Sequence, residues 1–157
     1  MSEYEKLLEI YKKSAILESI SEVLEWDHEV MMPEGALPIR ARQSSTLAAL
    51  GHDILTCDEI RGLLVALEKG NFNSDQAANI REIKRASERA KNVPNELVQE
   101  LEDTRIKGVE AWKEARKKND YTLFSSHLGK VFVLSRKVAE YIDPNTHPYE
   151  VLLEEYE

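Results

Sequence analysis

The sequence predicts an all-α fold of about six helices in antiparallel hairpins, and three observations predict it. Apolar residues recur at three- and four-residue steps through most of the chain. No stretch alternates convincingly with the period of two that a half-buried strand needs. Clusters of proline, glycine, asparagine and aspartate separate the periodic segments, and breaks this short favour antiparallel neighbours.

The first helix is expected from Tyr4 to about Val30, with Tyr4, Leu7, Leu8, Tyr11, Ala15, Ile16, Ile20, Val23 and Leu24 on one stripe. Pro33, Gly35 and Pro38 then turn the chain back, because proline lacks an amide donor and disfavours helix in the residue before it. The second helix carries Ala41, Leu47, Ala48 and Leu50 and is expected to end near Gly51 to Asp53. Thr56 to Glu59 has the form of a capping box opening a short helix to about Lys69. After the turn residues Gly70 to Ser74, either Ser74 or Asp75 is the expected cap of a helix through Ala77, Ile80, Ile83, Ala86 and Ala90. Pro94 suits a first helical position, and Leu97, Leu101, Val109, Trp112 and Ala115 extend that helix to about Lys118. Asn119 and Asp120 mark the next boundary. Phe124, Leu128, Val131, Val138 and Ile142, with Phe132 and Leu134 widening the stripe, form a helix packed antiparallel to its predecessor. A loop from Asp143 to Pro148 precedes a short final helix bearing Tyr149, Leu152, Leu153 and Tyr156.

At 157 residues the chain is expected to be a single helical domain over 1–157, and a chain of that size buries roughly 70% of its unfolded surface. A 42% apolar and 32% charged composition suits a folded soluble protein. Twenty-nine acidic against 21 basic residues give a net charge of −8, which argues against nucleic acid and anionic membranes as partners. The basic clusters Arg81 to Lys91 and Lys113 to Lys118 are diluted by Glu82, Glu88, Glu110 and Glu114, so they read as solvated helix faces. Cys57 is the only cysteine and excludes an internal disulfide, so the cytoplasm is the expected compartment. No apolar run reaches the ~18 residues of a membrane span.

His28-Glu29-Val30-Met31-Met32 comes within one residue of H-E-x-x-H, in which two histidines one turn apart hold zinc and the glutamate activates water. Met32 stands where the second histidine belongs, and a thioether is a poor partner for zinc beside imidazole. His52, His127 and His147 have no ligand spacing, so the expectation is no metal site in this chain and a surface or lid position for His28. Glu22, Glu25 and Glu29 read as a wet helix face. Asp27 precedes the chain reversal and is expected to pair with Arg40 across it, with Arg42 as the other candidate. No catalytic residue is assigned, since a general base needs a nucleophile or metal nearby.

Three blocks resemble the thermostable, Taq-type metallocarboxypeptidases. The first is W-D-H-E-V-M-M-P-E-G-A-L-P-I-R-A-R-Q-S-S-T-L from Trp26 to Leu47, where Trp26, Asp27, Glu29, Met32, Pro33, Gly35, Arg40, Gln43, Thr46 and Leu47 match the family pattern. The second is N-I-R-E-I-K-R-A-S-E-R-A-K-N-V-P-N-E-L-V from Asn79 to Val98. The third runs through Ala111-Trp112, Ala115-Arg116, Asn119-Asp120-Tyr121, Phe124 and His127-Leu128, and closes on Pro148 to Glu157.

That resemblance implies a larger helical metallopeptidase fold, cytoplasmic and commonly dimeric, that removes C-terminal residues from peptides. It also implies zinc or another divalent metal, held by an H-E-x-x-H and a later glutamate that this sequence lacks. The chain is then expected to be the N-terminal, groove-wall region of such an enzyme, inactive alone and completed by the catalytic remainder, with peptide substrate bound only by the whole. A truncated chain or a split gene fits this better than an independently evolved domain. Trp26, Asp27, Arg40 and Gln43 are the expected structural or groove-lining residues, and an exposed docking face implies a homo-oligomer. The alternative is a freestanding helical protein-interaction module on the same scaffold.

Overall fold

A computed structural model describes residues 1–154, and every secondary-structure element among them is helical. Six helices have ten residues or more: α1 (Glu3–Val30), α2 (Leu37–Thr56), α3 (Asp58–Leu67), α4 (Ser74–Lys91), α5 (Asn95–Lys118) and α6 (Thr122–Ile142). The six-residue α7 (Pro148–Leu153) follows, and Tyr156, expected on it, lies outside the described residues. A single 3₁₀ turn, Glu34–Ala36, joins α1 to α2 between the two prolines.

Local chemistry sets the helix ends, not always at the expected residue. Asn73, rather than Ser74 or Asp75, caps α4: its side chain accepts from the Gln76 amide at 2.9 Å while Gln76 accepts from the Asn73 amide at 3.2 Å. The capping box expected at Thr56 is not formed. Thr56 is the last residue of α2, and its hydroxyl donates to the His52 carbonyl at 2.8 Å, so α3 begins after Cys57 with no side-chain cap. α2 therefore runs past Gly51 to Thr56. Two bonds from neighbouring elements hold this extra turn, Ser87 donating to the Leu55 carbonyl at 2.7 Å and Asn95 to Asp53 at 2.5 Å, and Asn95 also donates to the Ala49 carbonyl one turn earlier at 3.2 Å. Asn119 ends α5 in the left-handed region at φ 51°, a conformation asparagine tolerates better than β-branched residues do.

α2 is the central helix, packing on α1, α4 and α5, while α5 and α6 form the second extensive pair. One core cluster gathers Leu7 of α1, Ile60, Leu64 and Leu67 of α3 and Ile83 of α4. The other joins Val93, Leu97 and Leu134 between the start of α5 and α6. At about 1.5–3 kcal/mol per fully buried aliphatic side chain, these clusters fix how the hairpins dock.

The single apolar stripe expected along α1 is corrected. Leu7 is fully buried and Tyr4, Leu8, Tyr11 and Leu24 are half-buried, but Ala15, Ile16, Ile20 and Val23 are exposed. Nine residues separate Leu7 from Ile16, and at 100° per residue that is roughly half a turn around the helix. The packed face passes instead through Ser14, Leu17, Ser21, Leu24 and His28, which are half-buried or buried. Trp112 and Phe132 also leave their expected packing stripes, at 45% and 63% exposure. The Arg116 guanidinium covers Trp112 with its carbon 5.6 Å from the ring centroid.

Candidate functional site

The end of α1, the first turn of α2 and the middle of α5 meet in a charged cluster. Arg40, with its side chain only 12% exposed, donates to the Leu24 carbonyl and to the Asp27 carboxylate, binding the two arms of the hairpin. Arg40 Nε is buried without a partner. Trp26 and Gln43 flank this pair and are exposed.

His28 is the residue that sequence reasoning misplaced. It is buried at 5% exposure, not at the surface, because its position turns toward α5, where Glu110 supplies a partner. His28 Nε2 lies 2.8 Å from Glu110 Oε1. A carboxylate only accepts, so Nε2 carries the hydrogen. The same oxygen accepts from Lys113 Nζ at 2.8 Å, and Lys113 reaches Glu29 at 3.3 Å. Burial pushes the Glu110 carboxyl up, but hydrogen bonds from Lys113 and His28 outweigh it and hold the group below its ordinary value. Burial likewise works against a charged Lys113, yet Glu110 and Glu29 raise it above its ordinary value. Glu110 and Lys113 stand three residues apart on one face of α5, the signal that sequence reading absorbed into a solvated face.

Beside this cluster a trough of about 540 Å³ runs between α1 and α5 over α2. Its walls carry Glu18, Glu22 and Glu25 from α1 and Glu102 with Arg105 from α5, and its floor includes Leu47 of α2. A second cleft of about 590 Å³ opens between α2, α4, α5 and α6, with an apolar lining that includes Leu101 and Val138 and with Arg85 and Arg105 beside it. His52 lines that cleft. Its Nε2 donates to the Ala90 carbonyl at 3.1 Å, which leaves Nδ1 a buried acceptor without a donor.

Neither hollow fits a catalytic zinc ion. Among the described residues no group of three or more His, Cys, Asp or Glu side chains converges as metal ligands would. His28 commits Nε2 to Glu110, and His147 accepts from the Tyr149 amide at 3.3 Å at the start of α7. No helix among the described residues is long and apolar enough to cross a membrane. The site as built can orient two helices and present an acidic, apolar-floored surface.

Known proteins place this architecture. The crystal structure of BsuCP superposes with a TM-score of 0.92 over 98% of this chain and 31% of its own; at 22% identity it shows the fold alone. The Pyrococcus furiosus carboxypeptidase structure superposes with a TM-score of 0.77 at 29% identity, covering 100% of this chain and 32% of its own. The thermostable carboxypeptidase 1 of Thermus thermophilus is 32% identical over 167 residues, covering 98% of this chain and 33% of the relative. The chain thus spans about a third of the length of the curated relatives it matches. The family model for carboxypeptidase Taq (M32) metallopeptidases matches residues 6–157, and with that match the all-helical chain belongs to the Taq-type, M32 metallopeptidase family.

Proposed function

We propose that this chain is the N-terminal helical part of a metal-dependent carboxypeptidase that releases C-terminal amino acids from peptides, and that it is inactive alone. The observation carrying this reading is the match of nearly the whole chain to about a third of each carboxypeptidase relative, in a structure whose described residues gather no metal-ligand set. The catalytic remainder then supplies the divalent metal, zinc in the first instance, and this part supplies a wall of the substrate groove. The trough over α2 suits that role, since an apolar floor between acidic walls holds an extended peptide without needing chemistry of its own. Asp27 and Arg40 act structurally, keeping the α1–α2 hairpin closed, while Trp26 and Gln43 are carried on its outer side.

The partners are the remainder of the enzyme and a second copy of the chain, because exposed apolar side chains favour self-association. A cytoplasmic setting suits the lone, half-buried Cys57. A second reading, a freestanding interaction module on the same scaffold, is favoured by the exposed apolar row on α1.

The test is a zinc-supplemented carboxypeptidase assay on the purified chain, with metal content measured on the same sample. The expected result is no release of C-terminal amino acids and substoichiometric metal. Activity with one bound metal per chain would overturn the inactive assignment. If adding a separately produced catalytic remainder restores turnover, the enzyme-part reading holds; if the chain binds no remainder at all, the interaction module takes its place.

A further inference from the structure

The trough over α2 carries more acid than its own surroundings neutralise. Glu18, Glu22 and Glu25 of α1 line it, all exposed, and among the described residues none of the three has a basic partner. Elsewhere on the surface glutamates commonly pair within their own helix, as Glu9 does with Lys12 and Glu114 with Lys118. Across the trough, Arg105 is the one cation among the described lining residues, and it lies 4.0 Å from Glu102 of its own helix.

The trough also holds a polar group that the fold does not use. Ser44 on the α2 floor is buried at 6% exposure, and its hydroxyl lines the trough without a hydrogen bond to any described residue. A serine inside a helix often turns its hydroxyl back to a carbonyl four residues earlier, as Ser21 does to Leu17 at 3.2 Å. Buried polar groups are nearly always bonded, so an unused hydroxyl at the bottom of a hollow marks a place for a ligand atom.

The spread of the charge points to a chain rather than an ion. Among the described residues no acidic side chains converge as metal ligands would. Steps of four and three residues instead put Glu18, Glu22 and Glu25 about 6 Å and about 4.5 Å apart along α1. Alternate side chains of an extended peptide share one face at a spacing of about 6.7 Å. Lysine and arginine stems are long enough to take up the difference, and Leu17 and Leu47 offer apolar cover for their methylenes.

We propose that the trough selects an extended peptide segment with lysine or arginine at alternate positions. Its cationic groups meet Glu18, Glu22 and Glu25, and one of its main-chain groups bonds Ser44 Oγ. The selection rests on the reading of the trough as a wall of the substrate groove, and names the peptides which that wall retains.

Fluorescence anisotropy of the purified chain with a short labelled peptide bearing lysine at alternate positions, against the same peptide with glutamate there, reads this directly. Only the lysine peptide should bind, and added salt should weaken it. Glu18→Gln, Glu22→Gln and Glu25→Gln together should weaken binding about tenfold, the combined effect of several exposed ion pairs. Glu59→Gln, Glu96→Gln and Glu140→Gln remove the same charge from exposed positions outside the trough, and should leave the affinity within about twofold. Ser44→Ala should cost about threefold, one hydrogen bond, with Tm unchanged because the hydroxyl has no partner in the fold to lose.

Equal binding of the two peptides, or no binding of either, overturns the proposal. Equal losses in the two triple variants overturn it as well, because the attraction is then to the net charge of the chain. A silent Ser44→Ala beside a strong glutamate effect overturns the floor contact and leaves the peptide on the acidic rim. If adding the separately produced catalytic remainder displaces the peptide, the trough is a contact between the two parts, and the selection falls together with the groove-wall reading. No turnover is measured in the binding experiment, so a failure to discriminate between the peptides leaves the enzyme-part reading, judged by restored activity, where it stands.

Discussion

Replacing Glu110 by Gln removes one charge from the α1–α5 cluster and keeps the side chain's shape. Its effect can be worked from the contacts. Glu110 accepts two bonds at 2.8 Å, from the buried His28 and from Lys113. A hydrogen bond to a charged group contributes about 1.5–3 kcal/mol net when well shielded. The Glu110 side chain is 31% exposed, and Lys113 retains Glu29 at 3.3 Å, so the lower end applies. The expected loss is about 1–2 kcal/mol, or about 2–6 °C in Tm for a domain of this size.

The pH dependence gives the sharper check. Glu110 is held below its ordinary value near 4.5, so its contribution is present above that value and is lost as pH falls through the lower, folded-state pKa. Lys113 is held above its ordinary value near 10.5, so its contribution is present below that value and is lost as pH rises through the folded pKa. The stability gap between wild type and Glu110→Gln, measured by urea unfolding, should therefore be flat between these limits and close under acid conditions. A gap below about 0.5 kcal/mol at neutral pH, the range of ordinary surface substitutions, would refute the reasoning. So would a gap that widens as pH falls below 4.

Two further substitutions probe the local geometry. Asp27→Asn keeps an acceptor for Arg40 but removes the opposite charge, and should cost roughly 0.5–2 kcal/mol by thermal unfolding; an unaltered Tm counts against the pair as a hairpin clasp. Asn119→Val forces a β-branched residue into the left-handed conformation that closes α5, and should cost about 1–2 kcal/mol, with Asn119→Gly neutral or stabilising in the same chemical-denaturation experiment.

Much of the fold was legible because its helices announce themselves. The extents of α1, α5 and α6 follow from long periodic runs closed by proline or by Asn119-Asp120, and these signals act within a few residues of where they are read. The errors fall where a distant partner decides. Ser87 of α4 and Asn95 of α5 bond the last turns of α2, His52 of α2 reaches Ala90 of α4, and no local pattern encodes a bond across more than thirty residues. Asn73 won the α4 cap from Ser74 and Asp75 because Gln76 three residues on completes a reciprocal pair, a signal that was present and overlooked.

The charged cluster was half legible for the same reason. Asp27 and Arg40 lie on adjoining arms of a predicted hairpin, so their meeting needs only the turn between them. Burial of His28 needs α5, which arrives 82 residues later to supply Glu110. The two misjudgements on α1 share one cause. Its second half is patterned inversely, with His28 and small polar side chains such as Ser21 turned inward and Ile16, Ile20, Val23, Trp26 and Val30 turned outward. A helix that had only to solubilise the edge of this fold would gain from polar residues at those five positions, since each exposed aliphatic group costs about 1 kcal/mol or more relative to burial. α1 is thus divided along its length: its first half closes the core around Leu7, while its second half packs through small polar side chains and His28 and turns its large apolar side chains outward.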